Sequence, residues 1–270
     1  MTNLELRIVS AVALAVPALA LTWLGDIWFR ILMAAMGAVI LAEWAMMSGH
    51  SGSLRRVAVP AVAMIVLLVM LVIGLSAWQL LVAAAIGVAL VFADARMRGD
   101  PADLALAFAY AALSALALAL LRGADTAGLW AILFLFAVVW ATDILAYFVG
   151  RALGGPKLAP SISPGKTWSG AVGGAVGGTV AGSVVALLAG ASGVWFVPVA
   201  LLLSATSQIG DLFESAVKRR YGVKDSSRLI PGHGGMMDRI DGLVAAAVIL
   251  YVIGAGFAGL DFPSAGLFAP

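Results

Sequence analysis

The stretch GLWAILFLFAVVWATDILAYFV, residues 128–149, decides how the chain is to be read. It is an unbroken apolar run with one charged residue, Asp143. At about 1.5 Å of rise per residue, a helix of this length crosses the roughly 30 Å of hydrocarbon in a bilayer. A helix also satisfies its backbone hydrogen bonds internally, as lipid demands. Working outward, eight more such runs follow, at about 6–24, 27–47, 57–75, 78–94, 102–121, 170–189, 193–210 and 242–260. None has the ten-residue alternation of a membrane β-barrel. The expected fold is therefore an all-α integral membrane protein, a polytopic bundle of about nine transmembrane helices. Composition agrees: 63% of residues are hydrophobic and 11% charged, against roughly 25% charged in soluble domains. An ordinary globular enzyme and a disordered chain are both excluded. The absence of cysteine rules out disulfides, cysteine metal sites and thiol nucleophiles. A formal net charge of +2 is too balanced to suggest a nucleic-acid partner.

The basic residues fix an expected orientation. With these spans, 14 of the 16 Lys and Arg fall on one side, and Arg30 and Arg122 alone on the other. The positive-inside rule places the N-terminus in the cytoplasm and, after nine helices, the C-terminus in the periplasm. The first run, with Arg7 and the triplet Ala18-Leu19-Ala20, also resembles a signal peptide; eight further spans make a retained helix the simpler account. Residues 1–125 read as about five N-terminal membrane helices. Residues 126–270 read as a catalytic membrane region of about four helices, with cytoplasmic loops at 150–169 and 211–241. In the seventh span Gly170, Gly174, Gly178 and Gly182 recur every four residues. This spacing admits close helix packing, either internal or across a dimer face.

Chemistry concentrates in the second half. The 211–241 loop carries six bases and five acids, Asp211, Glu214, Asp225, Asp238 and Asp241. Carboxylates hold a hard cation through oxygen while Lys and Arg neutralise phosphates, so interleaved signs suit a magnesium–polyphosphate site. Asp238 and Asp241 share a helix face at their spacing, and Asp211 approaches from the other end of the loop. Helix caps and solvated loop charges give the same composition. Pro231-Gly232-His233-Gly234-Gly235 allows close backbone approach, with N–H groups available to an anion. The 150–169 loop offers Ser161-Ile162-Ser163-Pro164-Gly165-Lys166-Thr167 before a helix N-terminus; this is a phosphate site or a capped turn with a positive-inside anchor. It lacks P-loop spacing. Asp143 sits about 9 Å below the expected interface, where an acid is costly unless it faces a polar cavity. Tyr147 lines the same face. Glu43 and Asp94 stand near span ends and read as interfacial.

The stretch SAVKRRYGVKDSSRLIPGHGGMMDRID, residues 215–241, resembles the signature of the phosphatidate cytidylyltransferase family, or CDP-diacylglycerol synthases. Asp143-Ile-Leu-Ala-Tyr147 with Gly150-Arg151, Lys157-Leu-x-Pro160 and Ser163-Pro-Gly-Lys-Thr-Trp-Ser-Gly170 resemble neighbouring family segments. The likeness covers about residues 140–245. It implies a bacterial inner-membrane enzyme that condenses CTP with phosphatidate, giving CDP-diacylglycerol and pyrophosphate for phospholipid biosynthesis. Magnesium, potassium and a homodimer are implied as well. Metal falls to Asp211 and Asp238 with Asp241 in support, and Lys224 and Asp225 join Asp211 and Asp238 among the catalytic residues. Asp143, Lys157, Ser163, Lys166, Thr167, Ser215, Lys218, Arg219, His233, Gly234, Gly235 and Arg239 fall to substrate binding. Two departures stand out: Ser227 where the family usually has Gly, and Ser169 where Glu or Gln is common.

The residues fit that chemistry. A phosphate monoester is substantially dianionic at pH 7, so no general base is needed, and the barrier is repulsion between anions. Two alternatives stay open. A CTP-dependent polyprenol-type lipid kinase would share CTP and magnesium but release CDP. A transporter would spread polar residues through several helices near the midplane. Phosphatidate cannot leave the bilayer cheaply, so the reading expects a polar, laterally open cavity lined by Asp143, Lys166, Asp211 and Asp238. Its expected basic rim includes Lys218, Arg219 and Lys224.

Overall fold

Each expected apolar run holds a long helix, whose ends fall inside or outside the run. The computed structural model describes residues 3–191, 193–230, 232 and 234–268. Among them stand nine long helices, one at each expected span: α1 (Asn3–Leu24), α2 (Asp26–Met47), α3 (Leu54–Val72), α4 (Ala77–Arg98), α5 (Asp103–Arg122), α6 (Thr126–Leu153), α7 (Trp168–Leu188), α8 (Phe196–Arg220) and α9 (Met237–Ala258). A short α10 (Ala265–Phe268) follows. Eight are long and apolar enough to cross a membrane, and α1 contributes the shorter apolar segment Ala15–Leu24. This is a multi-pass α-helical membrane protein.

Two features depart from the sequence expectation. The apolar run of α8 ends at Gly210, yet the helix continues to Arg220. Asp211–Arg220 is rich in strong helix formers, and Glu214 and Lys218 pair one turn apart at 3.1 Å. Lys218, Arg219 and Arg220 occupy the last turn, where the helix dipole favours cations. Asp211, Ser215, Lys218 and Arg219, expected in a loop, are thus helical, and Asp238, Arg239 and Asp241 lie in the first turns of α9. The second departure is a hairpin: β1 (Lys157–Ala159) pairs antiparallel with β2 (Ser163–Thr167), Lys157 opposite Thr167 and Ala159 opposite Ser163.

The chain forms two compact units, Met1–Leu120 with Tyr221–Arg239, and Leu121–Arg220 with Ile240–Pro270. In the first, α3 packs on α2 and α4 over a core including Phe29, Trp44, Met64, Leu67, Leu80 and Phe108. Ser76 and Gln79 close a reciprocal capping box at the start of α4, satisfying two otherwise orphaned N–H groups. Arg98 bonds Asp94 at 2.6 Å, Asp100 at 3.2 Å and the Arg55 carbonyl at 2.7 Å. Asp94 is therefore one member of a local ion-pair network.

In the second unit α7 lies against α6. A Cβ on Gly170 would stand 2.6 Å from the Ala146 carbonyl, and one on Gly174 2.7 Å from that of Thr142. On Gly178 it would meet Thr142 Oγ1 at 2.2 Å. The glycine stripe therefore serves internal packing, since only hydrogen side chains let the two backbones come this close. Thr142 and Ser204 bridge α6 to α8 hydroxyl to hydroxyl at 2.6 Å.

Candidate functional site

The second unit holds a cavity of about 560 Å³. Helix α6 contributes Asp143, Tyr147 and Arg151, the hairpin Lys157, Lys166 and Thr167, and α8 Gln208 and Asp211. Each side chain has a local reason for its place. Thr167 ends β2 and caps α7, its hydroxyl accepting the Gly170 N–H at 3.1 Å. That cap fixes the hairpin to the helix and turns Lys166 inward, where its ammonium pairs with the Asp211 carboxylate. Ser215, one turn on, donates its hydroxyl to Asp211 Oδ1 at 3.4 Å. Asp241 feels the charges of Asp211, Asp143 and Lys218. Arg151 donates to the Tyr147 hydroxyl at 2.8 Å on the exposed wall. Ser169, in place of a longer Glu or Gln, donates to the Gly154 carbonyl at the end of α6, so a short hydroxyl serves as a tie there. Acids and bases facing one cavity suit the binding of a polyanion together with a cation.

Of the substrate-binding residues expected in this unit, Asp143, Lys157, Lys166 and Thr167 line the cavity. Lys218 is buried against Glu214 and Arg219 donates Nε to the Ile162 carbonyl at 3.4 Å. Lys218 is thus engaged inside the unit rather than standing as a spare cation on a rim, while Arg219 stays exposed. Ser163 opens β2 opposite Ala159. Gln208 was not singled out by sequence, and Arg151 figured only in the Gly150-Arg151 family segment, without a site role. Gln208 had a signal, an amide inside an apolar run, and its Nε2 donates to the Ala171 carbonyl at 3.3 Å.

The signature loop, 221–236, belongs to the first unit. Its backbone N–H groups and serine hydroxyls meet the protein's own carboxylates. Asp238 Oδ2 accepts the N–H groups of Ser226 and Gly235, both at 2.8 Å, and the Ser226 hydroxyl at 2.9 Å. Glu43, from α2, accepts the N–H groups of Met236 and Met237 at 2.8 Å each. It also accepts the hydroxyls of Ser227 at 2.7 Å and Ser226 at 3.2 Å. A Cβ on Gly235 would come within 2.5 Å of Glu43 Oε1, and one on Gly234 within 2.6 Å of Asp238 Oδ2. These glycines let carboxylates reach the backbone. Glu43, near the end of α2, is fully buried. Lys224, Asp225 and Arg239 are exposed on this segment, and His233 lies outside the described residues.

Helical membrane architecture, a cavity of mixed charge and the 215–241 signature define a class of membrane enzymes acting on phosphates. The chain belongs to the Cytidylyltransferase family, whose pattern matches residues 5–257. It is 49% identical over 272 residues, the full length of both proteins, to the phosphatidate cytidylyltransferase of Brucella suis biovar 1 (strain 1330). It is 33% identical over 273 residues to that of Bacillus subtilis (strain 168), covering 95% of this chain and all of the relative.

Proposed function

We propose that this chain transfers a cytidylyl group from CTP to phosphatidate, giving CDP-diacylglycerol and pyrophosphate. The observation that carries the reading is full-length identity of 49% to a phosphatidate cytidylyltransferase. The phosphatidate phosphate, already largely dianionic, attacks the α-phosphorus of CTP; a P–O bond forms there as the bond to the β-phosphate oxygen breaks and pyrophosphate leaves. No proton need be removed from the nucleophile, so the residues position and neutralise. Lys157 and Lys166 meet phosphate oxygens, Arg151 adds a planar fork for bidentate binding, and Thr167 and α7 hold Lys166 in place.

The donor set also supports magnesium. Among the described residues no three His, Cys, Asp or Glu gather into a metal cage. Magnesium needs none: it takes one or two carboxylates, waters and substrate phosphates. In the second unit Asp211, with Asp241 nearby, would hold it; in the first unit Asp238 is the candidate ligand. When bound it would neutralise the triphosphate and strengthen the leaving group. Potassium and a homodimer belong to the same proposal, the dimer tested by light scattering of the detergent-solubilised chain.

Purified protein given magnesium, CTP and phosphatidate should release pyrophosphate and form CDP-diacylglycerol. Release of CDP would point to the lipid kinase, and no product to the transporter. The charge asymmetry supports an inner-membrane enzyme with its N-terminus and active site in the cytoplasm. The chain has no native cysteine, so Lys166→Cys and Lys224→Cys give clean labels. Both should react with impermeant reagent from the cytoplasmic side; reaction only from the periplasm would reverse the orientation.

A further inference from the structure

We propose that Glu43 is a positioning residue, whose buried carboxylate on α2 sets the Ser226–Asp238 segment and thereby the Asp238 carboxylate. The inference rests on the reading that Asp238 serves magnesium. Burying a carboxylate is costly unless hydrogen bonds replace its water. Glu43 has that replacement, with two backbone N–H groups and two hydroxyls converging on its two oxygens. An apolar contact would fasten a helix start at less desolvation cost. What a carboxylate adds is direction, because each oxygen fixes its donors to hydrogen-bond geometry.

The connection to Asp238 runs through shared groups. The single hydroxyl proton of Ser226 lies between Glu43 Oε2 and Asp238 Oδ2, so moving one carboxylate re-aims the bond to the other. Gly235 gives its N–H to Asp238 while its Cα lies against Glu43. Met236 and Met237, the next two residues, give theirs to Glu43. Glu43 thus fixes both the donors to Asp238 and the start of the helix that carries it. In Glu43→Gln the volume is kept, but an NH₂ group must face one of the two methionine N–H donors.

The test uses full-length protein in detergent, with hydrogen exchange read by mass spectrometry beside kinetics. In Glu43→Gln, amides 235–237 should exchange at least about tenfold faster than in the wild type, with the α6–α8 amides unchanged. Per folded molecule kcat should fall about 10–100-fold, the usual loss when a metal ligand's support is removed. Half-maximal activity should need more magnesium, and KM for CTP should move by less than about threefold. Glu43→Asp should recover part of kcat. Unchanged exchange at 235–237 overturns the proposal. Faster exchange with wild-type kcat overturns it too, leaving Glu43 a purely structural cap. Should Glu43→Gln fail to fold, Ser226→Ala replaces it: faster exchange with a raised magnesium requirement supports the inference, and no change in either overturns it. Asp238→Asn run alongside separates the two levels, since wild-type magnesium dependence there defeats the metal reading while exchange still decides the role of Glu43.

Discussion

Asp211 in the second unit and the Glu43–Asp238 group in the first neutralise carboxylate charge by opposite means. Asp211 is met by the ammonium of Lys166, with side-chain exposures of 28% and 27%. Such a half-wet pair contributes about 0–1 kcal/mol, and lysine sits on a flexible four-carbon stem. Glu43 is met by serine hydroxyls and by two backbone N–H groups at the start of α9, and the latter cannot leave without unfolding that helix start. The first arrangement can exchange its partner for a metal or a phosphate. The second is a frame. One chemical group thus serves two purposes, and the difference lies in whether its counter-charge is a side chain or the backbone.

The largest effect expected is from removing charge at the proposed metal ligands. Asp211→Asn and Asp238→Asn should each lower turnover on the order of 10³-fold, the equivalent of several kcal/mol of lost transition-state stabilisation. Stability should separate them. Asp211→Asn loses the half-exposed pair with Lys166, while the amide oxygen can still accept from Ser215, and should leave thermal unfolding nearly unchanged. Asp238→Asn sets an NH₂ group or a weaker acceptor against three donors and should lose about 1–3 kcal/mol. Equal unfolding midpoints for the two variants would erase the contrast between exchangeable and fixed charge.

A smaller effect, of unusual sign, tests the exchangeable side. Lys166→Met should lower turnover about 10–100-fold by removing a phosphate contact. It should also reduce the magnesium needed for half-maximal activity, because no ammonium then competes for Asp211. Manganese titration followed by electron paramagnetic resonance reads the affinity without turnover. A raised metal requirement would mean that Lys166 helps hold the cation rather than standing in for it.

The helices were legible because a span is a local property: a run of apolar residues long enough to cross lipid declares itself without reference to anything distant. Asp143 was legible for the same reason, as an acid inside such a run, and it lines the cavity. The extension of α8 was not, because hydropathy marks where lipid ends and not where the helix ends. Nor was the hairpin: Pro164 and Gly165 are poor strand residues, and β2 pairs only with a partner a few residues away. The partners of Glu43 were not legible because its donors lie 183 to 194 residues on. No periodicity reports such a contact. Gly234 and Gly235 leave room for carboxylates, and that these are Glu43 and Asp238 depended partly on a helix elsewhere in the chain.

The smallest effect on chemistry is expected where the two kinds of charge are absent altogether, along the α6–α7 seam. Gly178→Ala would push a methyl to within 2.2 Å of Thr142 Oγ1 and 2.8 Å of the Val138 carbonyl. The seam must open, or the Thr142–Ser204 bond must give way. Overpacking of this kind costs about 1–3 kcal/mol, and a membrane interface with no hydrophobic drive has little else to offset it. Gly178 lies two turns from Gly170, which lines the cavity. Turnover per folded molecule should therefore stay within about threefold of wild type while thermal unfolding shifts downward. Val176→Ala, on the exposed face of the same helix, is the control and should change neither. If Gly178→Ala left stability intact but abolished turnover, the seam would be part of the site rather than its support, and the separation between frame and chemistry drawn from the two carboxylate regions would fail in the second unit.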